Sequence, residues 1–165
     1  TSGIKKLRLS ADLHSMRRVT SKLRKRNRRL ISSAELICYP PGSFYSSLVA
    51  NLLPYGVSDS IAANPCPKIY IPNRGKDPEQ IGMTLNDQID ILLERLQGQF
   101  EQSIKPSQLL NFVLYDSSNS DAEYQIDVAR FAKQGIQVID TPLISHDQPE
   151  VYDNDKLVQA LISFV

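Results

Sequence analysis

The feature that most constrains this chain is a short apolar run stopped by two prolines. Ala34-Glu35-Leu36-Ile37-Cys38-Tyr39 leads directly into Pro40-Pro41-Gly42-Ser43-Phe44-Tyr45-Ser46-Ser47. A strand covered on both faces needs no polar alternation, which is the pattern of a parallel sheet. Neither proline can donate to a sheet ladder, so the strand must end at Tyr39. Gly42 supplies backbone freedom, and Ser43 is expected to cap a helix. That helix carries Leu48, Val49, Leu52 and Leu53 on its apolar side, and Pro54 ends it.

The same alternation continues. Gly56 opens a shorter helical segment around Ser58 to Ala63, and Lys68 to Asn73 reads as a second strand. Thr84, with Asp87 three residues on, predicts a capped helix from Leu85 through Ile89, Leu92, Leu93 and Leu96 to Gly98. Leu109 to Tyr115 is a third strand, and Asp116 to Ser120 a polar turn. A helix is expected from Asp121 through Ala129 and Phe131 to Gly135. Ile136 to Ile139 is a fourth strand, and Asp155 to Val165 a closing helix. Strand–helix alternation predicts an α/β fold: a Rossmann-like three-layer domain with a mainly parallel sheet, incomplete within these residues. With 165 residues, 41% of them hydrophobic, the chain can build one core.

Charge divides the chain. Residues 1–33 hold 11 Lys/Arg against one acid, Asp12, while the remainder holds 8 against 17, so balances of +10 and −9 hide inside a net +1. Residues 1–32 are therefore read as a basic helical segment leading into a domain of residues 33–165. Ile4 to Leu9 is a short strand candidate. Beyond it, Leu13, Met16, Val19, Leu23 and Leu30-Ile31 recur at mostly helical intervals among Arg17, Arg18, Lys22, Arg24, Lys25, Arg26, Arg28 and Arg29. Three readings stand: a solvated helix face, a surface for an anionic ligand or acidic partner, and a nucleic-acid contact. Nucleic acid is disfavoured because no aromatic platform is interleaved. No apolar run reaches the roughly 18 residues that span a bilayer, no signal-type apolar stretch follows the basic residues, and the chain reads as cytoplasmic. Cys38 lies in a buried strand pattern and Cys66 between prolines, so neither a disulfide framework nor a metal site is expected.

In open parallel sheets, ligands bind at the carboxyl ends of the strands. The first such loop suits a phosphate: Gly42 admits close backbone approach, the following helix presents free N–H groups, and Ser43, Tyr45, Ser46 and Ser47 add hydroxyls. A plain strand–helix turn is the alternative. The second loop offers Asn73 for a base or ribose, Arg74 and Lys76 for phosphate, and Asp77, Glu79 and Gln80. His146-Asp147 is taken as a surface pair, and no catalytic residue is assigned.

The segment Ser33 to Leu48, followed by Asn51-Leu52-Leu53, resembles the "A-D-hydrophobic-G-P-G-S-L-Y-T-S … N-L-L" signature of the 2-phospho-L-lactate transferase (CofD)-like family, which includes gluconeogenesis-factor proteins. The resemblance continues through Gly56-Val57, Ile61-Ala62, Pro67 to Asn73, Asp77-Pro78-Glu79-Gln80 with Gly82, and Leu85 to Gln88, where Gln88 stands in place of a family histidine. It implies a Rossmann-like, often dimeric protein that binds a nucleoside diphosphate. A phospholactate-transferase-like role is the first expectation, a UDP-sugar-binding regulator the alternative, and a basic-arm module for nucleic acid or an acidic partner the second alternative. Transferase members move a lactyl phosphate with magnesium, while gluconeogenesis-factor members bind a UDP-sugar as regulators. Gly42, Ser43, Tyr45, Ser46, Ser47, Asn73 and Arg74 are the expected phosphate and nucleotide contacts, with any magnesium held by residues outside this chain. The family's glycine-rich opening strand is absent from these residues, so the chain is expected to be the C-terminal portion of a longer protein.

Overall fold

A computed structural model describes residues 3–4, 6–12, 14, 17–74, 77–100, 104–118, 122–145 and 151–165. Leu13, Met16, Lys76, Asn119, Ser120, Asp121, His146 and Asp147, singled out above, lie outside the described residues. Four strands form one sheet: β1 (Ile37–Tyr39), β2 (Lys68–Tyr70), β3 (Phe112–Tyr115) and β4 (Gln137–Asp140). They lie in chain order and every pair is parallel, with Cys38 opposite Ile69, Tyr70 opposite Val113 and Leu114 opposite Ile139. The helices are α1 (Lys25–Ser32), α2 (Val57–Ala63), α3 (Leu85–Gln97), α4 (Val128–Lys133) and α5 (Asn154–Ile162), with a wide-turned helix at Phe44–Val49.

Alternation along the strands makes the layers. Tyr39, Tyr70, Val113 and Tyr115 face one side, where they pack with Phe44, Val49, Ile61, Phe131 and the buried row of α3. That row is Leu85, Ile89, Leu92 and Leu96, all fully buried at helical spacing. Ile69, Ile71 and Leu114 face the other side, beneath Leu157, Leu161 and Phe164 of α5 and the stretch after it. The α/β class and three-layer arrangement are as the sequence implied. So is the start of α3: the Thr84 hydroxyl accepts from Asp87 N–H, and the Asp87 carboxylate accepts from Thr84 N–H at 2.8 Å.

The N-terminal segment differs from the expectation. The described residues between Ile4 and Leu9 form no strand, and among the described residues of the basic stretch only Lys25–Ser32 is helical. Residues 17–23 instead run extended. Ser10 bridges Arg18 antiparallel, Val19 N–H donates to Leu9 C=O, and Leu23 and Ser21 exchange backbone hydrogen bonds with Tyr55. Like charges three and four apart disfavour a continuous helix, and the extended pairings satisfy the backbone without one. The fourth helix also starts later than expected, at Val128, with the Asp127 carboxylate accepting from Arg130 N–H.

Candidate functional site

Because β1 and β2 are parallel neighbours, the loops leaving them meet at the carboxyl edge of the sheet. The first bends at Gly42, whose φ of 145° favours glycine, and runs into the Phe44–Val49 helix. There Leu48 N–H reaches back five residues to Ser43 C=O at 3.2 Å, a widened turn of the kind often found at functional sites. The second loop folds over the first. Asn73 grips the Gly42 peptide from both ends: Oδ1 accepts from Gly42 N–H and Nδ2 donates to Gly42 C=O, each at 2.6 Å. Phe44 N–H donates to Asp77 Oδ2 at 2.8 Å. Tyr45 and Ser46 N–H both donate to Glu79 Oε2, at 2.7 and 2.9 Å.

The amides that the sequence offers to a phosphate are thus taken up within the chain: those of Phe44, Tyr45 and Ser46 donate to its own carboxylates. Ser43 stands at the N-cap position without a side-chain cap bond, because Asp77 and Glu79 take that role from more than thirty residues away. Hydrogen bonds from Ser46 and Tyr45 hold the Glu79 carboxyl below its ordinary range. Asp77 in turn accepts from Glu79 N–H, which shapes the short turn Pro78–Gln80.

Of the predicted contacts, the structure gathers Gly42, Ser43, Tyr45, Ser46, Ser47 and Asn73 on this rim. Ser43, Ser46 and Ser47 are exposed. Tyr45 contributes its N–H only: its ring turns into the core, edge-on to Phe44 at 5.2 Å, so its hydroxyl is not a rim donor. Arg74 points elsewhere. Its guanidinium lies 5.7 Å from the centre of the Tyr124 ring, which stacks on Tyr115. Tyr124 meets the Tyr152 hydroxyl at 3.3 Å, and Tyr152 donates to Pro72 C=O. Burial pushes the Asp116 carboxyl up, but Ser118, Leu143 N–H and the Arg74 charge more than offset this, leaving it below its ordinary range.

Two cavities open near these loops. One of about 390 Å³ lies against β1, walled mainly by Ile31, Ile37, Tyr39, Leu48 and Leu52, with Pro41 and Gly42 at its edge. The other, of about 560 Å³, sits at the ends of β3 and β4 among Ser117, Ser118, Asp140, Thr141 and Lys156, with Asp116 in its wall. Among the described residues no group of three or more His, Cys, Asp and Glu is arranged to hold a metal, and the acidic pair at the rim is engaged with backbone amides. The described residues therefore do not fit a magnesium site by themselves.

The family model described as "2-phospho-L-lactate transferase CofD" matches residues 8–144. The chain belongs to the CofD family. Among curated CofD-like relatives, a "Putative gluconeogenesis factor" of Thermotoga maritima is 30% identical over 111 residues, 67% of this chain and 31% of that protein. One of the same name from Thermoanaerobacterium thermosulfurigenes is 27% identical over 139 residues, 82% of this chain and 43% of that protein. The chain thus spans less than half the length of these relatives. A crystal structure of a UPF0052-family protein from Bacillus halodurans shares the fold with a TM-score of 0.62 at 20% identity, covering 86% of this chain and 47% of that one.

Sequence reasoning missed the way this CofD-family rim is closed. Asp77 and Glu79 were visible as charges, but their role follows only once β1 and β2 are paired. The signal was available: acids just past one strand, beside a neighbouring strand whose helix starts without a local cap. The tyrosine cluster around Arg74 had no such signal, since Tyr115, Tyr124 and Tyr152 share no local period.

Proposed function

We propose that this chain serves as a nucleoside-diphosphate-binding element of a CofD-family protein of the gluconeogenesis-factor kind, binding a UDP-sugar without turning it over. What carries the reading is the convergence of four backbone amides, those of Gly42, Phe44, Tyr45 and Ser46, on oxygens at 2.6–2.9 Å. An array of which three amides receive carboxylates, and the fourth the Asn73 amide oxygen, is chemically suited to phosphate oxygens. The ligand's diphosphate exchanges with the Glu79 carboxylate on its short surface turn and gains the exposed hydroxyls of Ser43, Ser46 and Ser47. The larger cavity, with Asp140, Thr141, Ser117 and Lys156, offers carboxylate, hydroxyl and ammonium partners to a nucleoside or sugar. The relatives' names favour a regulator.

Calorimetric titration of the protein with a UDP-sugar and with GDP tests this. Gly42→Val is expected to abolish binding while the circular-dichroism melt stays cooperative, and Glu79→Gln, which removes the competing charge, to tighten it. Absence of binding by the unaltered protein, or unchanged affinity in Gly42→Val, overturns the reading. A second reading, transfer of a phospho-lactyl-type group, rests on the description of the family model itself. Product formation from a guanosine-diphosphate donor would mark it.

A further inference from the structure

The basic N-terminal segment plays no part in the rim, yet it is the most charged stretch of the chain, and the structure gathers part of it around a small cavity. This cavity, of about 110 Å³, is lined by Lys6, Arg8, Arg18, Thr20, Leu53 and Arg95, together with the aliphatic residues between them. No carboxylate among the described residues lines it, and none of the rim residues Gly42 to Ser47, Asn73 or Arg74 does so either. Among the described residues the one ion pair joins Arg130 to Asp90, and Lys6, Arg8, Arg18 and Arg95 form none there. Arg95 Nε, on α3, is buried without a hydrogen-bond acceptor among them. A buried donor left in that state is costly, and an ion or ordered water is the usual explanation.

The backbone that carries Arg8 and Arg18 is held in place. Leu9 and Val19, and Ala11 and Arg17, are joined by backbone hydrogen bonds of 3.1 and 3.2 Å, which set Arg8 and Arg18 on adjoining extended stretches. The bonds of Ser21 and Leu23 to Tyr55 then fix those stretches to the body of the domain. Bringing four like charges together is unfavourable unless an anion joins them.

We propose that this cavity is a binding site for a single phosphoryl group, held by Arg8, Arg18, Lys6 and the Nε–H of Arg95, and distinct from the diphosphate site on the strand ends. Its size selects the ligand class. It is well below the roughly 300 Å³ at which pockets begin to take drug-sized ligands, so the group bound is a compact tetrahedral oxyanion: free phosphate or the terminal phosphate of a small metabolite. Planar guanidinium groups match such an oxyanion with paired hydrogen bonds. The basic character of residues 1–33 is then in part a binding feature, not only a solvated face.

The test uses the full chain and inorganic phosphate as probe, followed by calorimetry at low ionic strength. One phosphate per chain is expected. Arg8→Gln and Arg95→Gln should each weaken it roughly tenfold. The double substitution Arg26→Gln, Arg29→Gln, on the exposed face of α1 outside the cavity, should leave it unchanged. If Arg95→Gln proves unfolded by circular dichroism, Arg8→Gln and Arg18→Gln, whose side chains are exposed, decide the matter. Failure of phosphate to saturate in the low-millimolar range overturns the proposal, as does an equal loss in the α1 variant. A competition arm with a small phosphomonoester separates the two sources of the group, and one with single-stranded RNA separates the small-anion site from a nucleic-acid surface. RNA that fails to displace phosphate supports the small-anion site. RNA that binds more tightly, and is weakened by the α1 substitutions, overturns it in favour of a nucleic-acid surface.

Discussion

The strand-end rim and the N-terminal segment are both built around charge, and they treat it in opposite ways. At the rim, amides that would attract an anion already hold Asp77 and Glu79, brought in from the next loop. Around the small cavity, Lys6, Arg8, Arg18 and Arg95 share one lining, with no acid among the described residues that form it. The first region is satisfied within the chain and gains rigidity from its charges. The second forms no ion pair among the described residues, which is the state the proposed phosphate would relieve. A net charge of +1 conceals both, because it sums the two.

The most damaging test of this contrast removes the acid at the rim. Glu79→Ala leaves the Tyr45 and Ser46 amides without their acceptor, and loss of two bonds to a carboxylate should cost roughly 2–3 kcal/mol, read as a lower urea midpoint at unchanged slope. Glu79→Gln keeps one acceptor oxygen and should lose about half as much. If both variants melt like the unaltered protein, Glu79 is an incidental surface contact and the rim is not self-satisfied.

A smaller effect follows from acid. The folded-state value of Glu79 is depressed below its unfolded one, so its contribution is fully present above the ordinary carboxylate range and is lost as pH falls through the depressed folded value. Once protonated, Glu79 carries the same zero charge as the amide that Glu79→Gln installs. The stability gap between the unaltered protein and Glu79→Gln should therefore be constant near neutrality and close on acidification. Asp87, depressed by its bonds with Thr84, loses its contribution in the same direction in both proteins and cancels in the difference. A gap that widens in acid would mean that the carboxylate is not what the amides hold.

How much of this was legible in the sequence depended on distance along the chain. The Thr84–Asp87 capping box spans three residues and could be read directly, as could the proline stop after Tyr39 and the left-handed Gly135 that ends α4. The parallel α/β arrangement followed from alternation. Ser43, by contrast, looked like a cap because local rules favour serine there, whereas the acceptors come from positions 77 and 79, brought near only by strand pairing. Tyr45 looked like a hydroxyl donor because its type is polar at one end; its phase with Phe44, Leu48 and Val49 places it in the core. The basic segment misled for the converse reason. Its apolar spacing is helical, but the repulsion between its cations and the backbone partners offered by Tyr55 are tertiary facts.

The smallest expected effect bears on the other side of the comparison, and its sign matters more than its size. Neutralising an exposed charge usually changes stability by less than about 0.5 kcal/mol, and removing one of four neighbouring cations should relieve repulsion. Arg8→Gln and Arg18→Gln are therefore expected to be slightly stabilising in phosphate-free buffer at low ionic strength, read as a small rise in melting temperature. The gain should fade in molar salt, where the Debye length shrinks to about 3 Å. Added phosphate should reverse the order, since a ligand that binds only the folded state raises the stability of the protein that binds it best. The unaltered chain would then melt above both variants. Destabilisation by Arg8→Gln in phosphate-free buffer would show that these cations are already answered within the chain, and the two regions would differ in position but not in kind.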